Sequence, residues 1–320
     1  MTQPFVDLVD LASERLGGAV VAANDEFFAP KENLIKPEPA VWIEGKYTER
    51  GKWMDGWETR RRREPGDDWC VVRLGVAGII RGVDVDTAYF KGNYPEACAI
   101  EVCDVDGLPD LDALMSARWH EILRRTPLTG DSHNLLPTSA SDPATHLRLR
   151  IFPDGGVARL RVYGDVVADW ERLRRRGDVD LAAVEHGGLV VGCSDSFFGS
   201  RHNLIMPGDA THMGDGWETR RRRGPGHDWT IIRLGTAGAI RRIDVDTRHF
   251  KGNAPGACSL EGSSDAREWR EVLARTPLQP HARHTFEEDV RNIGEVTHVR
   301  FNIYPDGGVG RLRLYGRPRP

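Results

Sequence analysis

Apolar and polar residues alternate with a period of two along much of this chain, and this pattern predicts β-strands. Residues 83–87 alternate Val and Thr with Asp, and residues 147–151 alternate Leu and Ile with Arg. The second segment runs into Pro-Asp-Gly-Gly and a further alternating stretch, which predicts a hairpin. Residues 69–74 and 79–85 predict another hairpin, joined by the glycine-containing turn at 75–78. Short strands separated by frequent turns favour an all-β sandwich.

The same pattern occurs twice. Residues 55–63 return at 215–223, residues 84–93 return in large part at 244–253, and Pro-Asp-Gly-Gly returns at 305–308. Over residues 55–101, 32 of 47 positions are identical to residues 215–261. Each copy is long enough to bury a core of its own. We therefore expect a first sandwich at residues 1–165, a short charged linker of helical character at 166–178, and a second sandwich at 179–320.

The two copies differ in two places. The segment Pro39–Lys52 has no counterpart in the second copy, and residues 101–145 share little with residues 261–297. His133 also belongs to the first copy alone. Residues 111–123 fit either a strand or a helix.

Composition narrows the class of protein. The formal charge of −4 lacks the excess of positive charge that is typical of proteins that bind nucleic acid. The five cysteines have no framework spacing, which favours buried thiols in a reducing compartment. No apolar run is long enough for a membrane span, and the N-terminus lacks the apolar stretch of a signal peptide. A cytoplasmic protein that binds neither nucleic acid nor membrane is the expectation.

The Trp-Glu-Thr-Arg-Arg-Arg-Arg segment is the most charged feature that both copies retain. Arginine can grip a carboxylate or a planar ureido group through two parallel hydrogen bonds, which lysine cannot do. The alternative is a solvated rim in which Glu and Arg side chains pair with one another. The candidate anion-binding residues are Arg60, Arg62, Arg220 and Arg222.

Two carboxylates on one face of a strand, at 84 and 86, form a second candidate. They could act as acid and base or hold a divalent cation, and they could equally be solvated or cap a loop. The Lys-Gly-Asn segment that follows offers donors beside a glycine that lets a ligand approach the backbone. No His-x-His, His-Glu-x-x-His, nucleophile-elbow or phosphate-loop motif is present. The sequence thus leaves the metal question open.

The motifs are similar to those of the allantoicase family across residues 9–316. The segments that carry the resemblance are 25–35, 54–63, 68–75, 84–93 and 148–161, most of which have a second-copy match. Each copy also resembles a galactose-binding-like, discoidin-type jelly roll. The resemblance implies an all-β chain of two tandem jelly-roll β-sandwiches and a homo-oligomer.

Allantoicases hydrolyse allantoate to ureidoglycolate and urea, so the resemblance implies a hydrolase acting on a linear amidine-type C–N bond. Such chemistry needs an acid, a base, and cationic and polar groups for the substrate. The repeated positions supply these residue types. Candidates for proton transfer are Glu58, Glu218, Asp86 and Asp246. Candidates for substrate binding are the four arginines above with Lys91, Asn93, Lys251 and Asn253. No organic cofactor is expected.

Two alternatives stay open. Jelly rolls of this type often only bind, so a tandem carbohydrate- or ligand-binding module without catalysis is possible on fold alone. Retained loop residues that are mostly charged fit a small polar anion better than a sugar, which needs exposed aromatic rings. Alternatively, one copy catalyses while the other serves assembly.

Overall fold

The structure is a computed structural model that describes residues 5–319, and the chain divides into two compact units, Met1–Val167 and Ala168–Pro320. The strands of the first unit are β1 Val9–Asp10, β2 Ala19–Ala23, β3 Tyr47–Thr48, β4 Gly51–Lys52, β5 Trp57–Glu58, β6 Asp68–Asp86, β7 Ala97–Cys103, β8 His120–Pro127, β9 His133–Pro137, β10 Ala144–Phe152, β11 Gly156–Val157 and β12 Arg159–Val166. Its helices are α1 Leu111–Met115 and the 3-10 turns Phe5–Asp7, Glu14–Leu16 and Lys31–Ile35.

Among the described residues, the second unit repeats the order of the main strands but has no counterpart of β3, β4 or α1. Its strands are β13 Val179–Asp180, β14 Leu189–Cys193, β15 Trp217–Glu218, β16 Asp228–Asp246, β17 Ala257–Ser263, β18 Arg270–Pro277, β19 Arg283–Phe286, β20 Val296–Tyr304, β21 Gly308–Val309 and β22 Arg311–Pro318. Its helices are α2 Trp170–Arg174 and the 3-10 turns Val184–His186, Arg201–Ile205 and Met213–Asp215.

One long strand organises each unit. The first part of β6 pairs with β2 and β10, and β10 continues to β7 and β8. The second part of β6 pairs with β12 and β9, and β12 continues to β1. The strand therefore belongs to both layers of a sandwich. In the second unit β16 does the same. The predicted all-β class, with two tandem jelly-roll sandwiches, is confirmed.

The core lies between the two layers. Alternate residues of each strand point inward, so Val83, Val85, Leu147, Leu149 and Ile151 are fully buried. The intervening polar residues face the other way. The side of the sheet on which a polar residue lies is thus set by the period-two pattern that identified the strand.

Both predicted hairpins are wrong, for a shared reason. Residues 69–74 and 79–85 belong to a single strand, β6, and not to a pair. Gly75 and Gly78 lie where other backbone crosses closely, since a Cβ would come within 2.6 Å of the Leu16 and Asp165 carbonyl oxygens respectively. Pro-Asp-Gly-Gly connects β10 to strands of the other layer, so it is a crossover and not a hairpin turn. Glycine at these positions lets another backbone segment approach closely, and the local sequence pattern cannot be distinguished from that of a turn.

The ambiguous segment at 111–123 contains both kinds of element, since it holds the helix α1 and the start of β8. Within the expected linker, Trp170–Arg174 is helical, and Asp169 caps this helix through a hydrogen bond to the Arg172 backbone N–H. Among the described residues, no helix has the length and apolar character that crossing a membrane requires.

Candidate active site

Glu58 and Asn93 form a side-chain pair in the first repeat. Trp57, beside Glu58 on β5, is fully buried, and its indole Nε1 donates a 2.8 Å hydrogen bond to the Asp25 carbonyl. The alternation along β5 turns Glu58 to the opposite face, where its Oε1 accepts a 2.7 Å hydrogen bond from Asn93 Nδ2. Burial raises the pKa of Glu58, and the hydrogen bond from Asn93 opposes this shift only in part. Glu58 is therefore a carboxyl that keeps its proton to higher pH than usual.

The second repeat builds the same pair from Glu218 and Asn253. In both repeats the Asn-bearing loop rests on a buried phenylalanine. A Cβ at Gly156 would come within 1.9 Å of the Phe90 ring, so only glycine lets β11 lie against this loop. The structure thus brings together the sequence candidates Glu and Asn in each copy.

The lysines on these loops are exposed. Lys91 is 79% exposed, and its Nζ lies 3.8 Å from Asp131 Oδ2. Lys251 is also exposed. Each lysine lies two residues before the asparagine of its pair.

The candidate arginines are already paired with carboxylates. Arg60 Nε donates to Asp25 Oδ2 at 2.7 Å, and Arg62 Nη1 donates to Asp68 Oδ1 at 2.7 Å. Corresponding pairs in the second repeat are Arg220 with Asp195 and Arg222 with Asp228. These ion pairs anchor the arginine-rich segment to neighbouring loops. The partners of these four arginines are aspartates outside the arginine-rich segment, and not the glutamates that the sequence offered as partners; anion binding by the arginines stays a prediction.

Asp86 and Asp246 cap the loops that follow the long strands. Asp86 Oδ1 accepts a 2.8 Å hydrogen bond from the Ala88 N–H, and Asp246 Oδ1 accepts one of the same length from the Arg248 N–H. Burial alone would raise the pKa of Asp246, but the hydrogen bonds and charge of Arg248 hold it below its usual value. No hydrogen bond or ion pair among residues 5–319 joins Asp86 to Glu58.

Strand register separates the two groups of candidates. Glu58 pairs with Gly156 of β11 in a two-stranded sheet, whereas Asp86 pairs with Arg159 of β12 in the eight-stranded sheet. The Glu–Asn pair and the strand carboxylate thus belong to different sheets of the repeat.

The structure also shows a pair that sequence reasoning missed. His133, on β9, places Nδ1 2.7 Å from Asp84 Oδ2 and 4.0 Å from Asp86 Oδ2. The hydrogen bond to Asp84 raises the pKa of His133, while burial raises the pKa of Asp84. In the second repeat the same register position holds Arg283, which lies 3.6 Å from Asp246. The feature that could have revealed this pair is that each copy has a cationic residue, His133 or Arg283, at the position opposite the strand carboxylate.

Replacing His133 with Ala is expected to lower the free energy of unfolding by about 1 kcal/mol or less, because the His133 side chain that pairs with Asp84 is 68% exposed and the pair is screened by solvent. The raised pKa of His133 means that its contribution is complete below its unfolded-state pKa and is lost as pH rises through the folded-state pKa. The charged groups that set this pKa are Asp84, Asp86 and Arg161.

Urea unfolding of the wild-type and variant chains across pH checks this expectation. The exposed histidine of β8, replaced in His120→Ala, is the matched control and should change little. A difference between wild type and His133→Ala that grows with pH would contradict the assigned pairing.

Within the described part of the chain, no three His, Cys, Asp or Glu side chains are grouped so that they could hold a metal ion. The five cysteines are free thiols, and all but Cys193 are buried.

Comparison with known proteins places both repeats in one family. The model described as "Allantoicase repeat" matches residues 9–167 and again residues 179–319. "Probable allantoicase 1" of Burkholderia mallei is 49% identical to the chain, and the alignment covers 96% of this chain and 94% of that relative. The "Probable allantoicase" of Pseudomonas aeruginosa is also 49% identical, with 99% and 98% covered. The chain belongs to the allantoicase family.

A solved structure agrees with this placement. The crystal structure of allantoicase from Saccharomyces cerevisiae is similar to this allantoicase-family chain with a TM-score of 0.84 and 37% identity, covering 96% of this chain and 92% of that one. The prediction of a hydrolase is confirmed, since these alignments with allantoicases cover 94% and 98% of the two bacterial relatives.

Proposed function

We propose that this chain hydrolyses allantoate to ureidoglycolate and urea by breaking the C–N bond between a urea nitrogen and the aminal carbon. The observation that carries the proposal is the match of both repeats to the allantoicase family. The duplicated Glu–Asn pair supports it, because each repeat contains a carboxyl group placed for proton transfer. The homo-oligomeric state and the cytoplasmic location stay predictions.

The chemistry at the pair follows from the protonation of its carboxyl group. A protonated Glu58 donates its proton to the leaving ureide nitrogen, the C–N bond breaks, and water adds to the carbon. The water proton returns to the Glu58 carboxylate, so one residue acts first as acid and then as base. Asn93 fixes one carboxyl oxygen, and the exposed Lys91 is available for the substrate carboxylate. Glu218, Asn253 and Lys251 occupy the matching positions of the second repeat.

Incubation of the purified chain with allantoate tests the reaction directly. We expect release of urea and formation of ureidoglycolate, measured with and without added Mn²⁺ because the need for a metal ion is part of the test. Folded protein that releases no urea under either condition would overturn the proposal. Saturable binding of glycans without hydrolysis would instead favour a binding module.

The pH dependence of kcat provides a second test. Activity that needs protonated Glu58 falls as pH rises through the raised pKa of this residue. The measurement is best made in the Glu218→Gln background, where the first repeat is the remaining source of turnover. An unchanged kcat profile after a further Glu58→Gln substitution would show that this carboxyl is not the acid.

A further inference from the structure

The two repeats differ in the length of one loop beside their Glu–Asn pairs. The loop begins at matched points, since the Val41 N–H donates to Asp55 Oδ2 at 3.0 Å and the Thr211 N–H donates to Asp215 Oδ2 at 3.1 Å. It ends in both repeats three residues before Asp-Gly-Trp-Glu. In the first repeat it consists of residues 41–52, here called the strap, and in the second repeat it has only two residues.

Four backbone segments lie side by side around the pair of the first repeat. Glu58 bridges to Ala29 on one side and pairs with Gly156 on the other. The N–H of Gly156 in turn donates to the Asn93 carbonyl oxygen at 2.8 Å. The loop that contains Ala29 and the loop that contains Asn93 are therefore the two edges of this row, and the Glu–Asn pair lies between them.

The strap contacts the edge that carries Asn93 through stacked rings. Trp42 stacks on Tyr89 with ring centroids 6.1 Å apart and an angle of 29° between the ring planes. Lys52 Nζ lies 4.2 Å from the Trp42 ring centroid, a cation–π contact that joins the end of the strap to its start. Tyr89 lies four residues before Asn93 and two before Lys91. Trp42 thus packs on the loop that supplies the polar groups of the site.

The strap also contacts the opposite edge of the row. Arg50 Nη1 donates to the Phe27 carbonyl oxygen at 2.8 Å, and its guanidinium carbon lies 5.0 Å from the Phe27 ring centroid. A Cβ at Gly51 would lie 3.8 Å from the Phe28 ring, so the strap backbone rests on this ring. The Phe28 N–H donates to the Glu58 carbonyl oxygen at 3.1 Å. The strap therefore bridges the two loops between which the Glu–Asn pair lies.

The second repeat has the same edge beside its glutamate but no strap over it. The Phe198 N–H donates to the Glu218 carbonyl oxygen at 3.2 Å. Phe197 and Phe198 are 65% and 61% exposed, whereas Phe27, the counterpart of Phe197, is 37% exposed. His249 stands where the first repeat has the tyrosine on which the strap stacks. Positions that the strap covers in the first repeat thus face solvent in the second.

The strap adds contact surface and charge to one of the two sites. It carries three basic and two acidic residues, whereas Thr211 and His212, which replace it in the second repeat, include no Lys, Arg, Asp or Glu. Among residues 5–319, no hydrogen bond joins the strap to the side chain of Glu58 or Asn93, so it has no part in the proposed proton transfer. A contact that holds substrate and transition state equally lowers KM and leaves kcat unchanged.

We propose that the strap makes the first repeat the tighter-binding of two sites for the carboxylate substrate, as a wall that Trp42 and Arg50 fix at the two edges of the row. This inference rests on the proposed hydrolysis at the Glu–Asn pairs and adds that the two pairs differ in affinity. The first repeat then works at low substrate concentration, and the second adds turnover at high concentration. Trp42 is a positioning residue in this scheme, because it holds the wall against Tyr89.

Initial rates of urea release at varied allantoate concentration test this difference in full chains with one intact pair. Glu218→Gln leaves the pair of the first repeat, and Glu58→Gln leaves that of the second. We expect KM to be lower in the Glu218→Gln chain by about threefold to tenfold at similar kcat, as one or two added stacking or cation–π contacts would give. Where a chain releases no urea, the Kd of allantoate from isothermal titration is compared in place of KM.

Replacing residues 41–52 with Thr-His, the loop of the second repeat, removes the strap but keeps a connection that this fold already uses. In the Glu218→Gln chain, KM should rise to the value of the second repeat while kcat is retained. In the Glu58→Gln chain, the same replacement should change neither value. Trp42→Ala should raise KM of the first repeat in the same direction. Leu108→Ala, at an 80% exposed position outside the strap, is the control and should leave both KM values unchanged.

Equal KM values in the two single-pair chains would overturn the inference. Removal of the strap that lowers kcat of the first repeat and leaves its KM as it was would do the same. A wild-type chain that releases no urea rejects the proposed hydrolysis, whereas urea release with equal KM values rejects the role of the strap alone.

Discussion

Replacing Arg159 with Met is expected to lower the free energy of unfolding of the first repeat by about 3–5 kcal/mol, because a buried carboxylate is left without its partner. Arg159 is 2% exposed, and its Nη2 lies 2.8 Å from Asp55 Oδ2. The same guanidinium donates to the carbonyl oxygens of Asp55, Ala158 and Glu38. Burial by itself would raise the pKa of Asp55, but Arg159 and the Val41 N–H hold it below its usual value.

Urea unfolding of the full chain, followed by tryptophan fluorescence, measures this loss. The control is Arg60→Met, since Arg60 is also paired with an aspartate but is 64% exposed. Exposed pairs contribute about 0–1 kcal/mol, so this variant should unfold close to the wild-type midpoint. Equal effects of the two substitutions would show that burial does not set the strength of these pairs.

The double substitution Glu58→Gln with Glu218→Gln is expected to lower kcat for allantoate by about 100-fold or more, while each single variant retains roughly half of the wild-type value. The reason is that both repeats contain the same Glu–Asn arrangement. Glutamine keeps an oxygen that can accept the asparagine hydrogen bond, so the loop stays in place. The substitution removes the carboxyl proton that glutamate would donate to the leaving nitrogen.

Initial rates of urea release give the three kcat values under saturating allantoate. Glu49→Gln, an exposed substitution in the segment found only in the first copy, controls for a change of charge alone. A single variant that abolishes turnover would show that one repeat catalyses or that both contribute to one site. Full activity in the double variant would remove these glutamates from the mechanism.

Alternation along the chain was enough to predict the strands and the sandwich, because burial of one face imposes a period of two. It does not distinguish a turn from a place where another backbone segment crosses closely, since both favour glycine, and for this reason residues 69–74 and 79–85 are predicted as a hairpin although they lie in one strand. Residue types at the site were also predictable from the repeat. Their partners were not: Asp25 meets Arg60 across 35 positions and His133 meets Asp84 across 49, and no local pattern encodes such contacts.

Because β6 contributes hydrogen bonds to both layers, the two layers of the first repeat share one continuous strand. Residues near its start hold β10 and residues near its end hold β12, so removing either part of β6 deprives one of these strands of a partner. A fragment smaller than a complete repeat would therefore leave backbone groups of a strand without their hydrogen-bond partners. A cut placed anywhere within residues 68–86 would divide the one segment that both halves of the sandwich share.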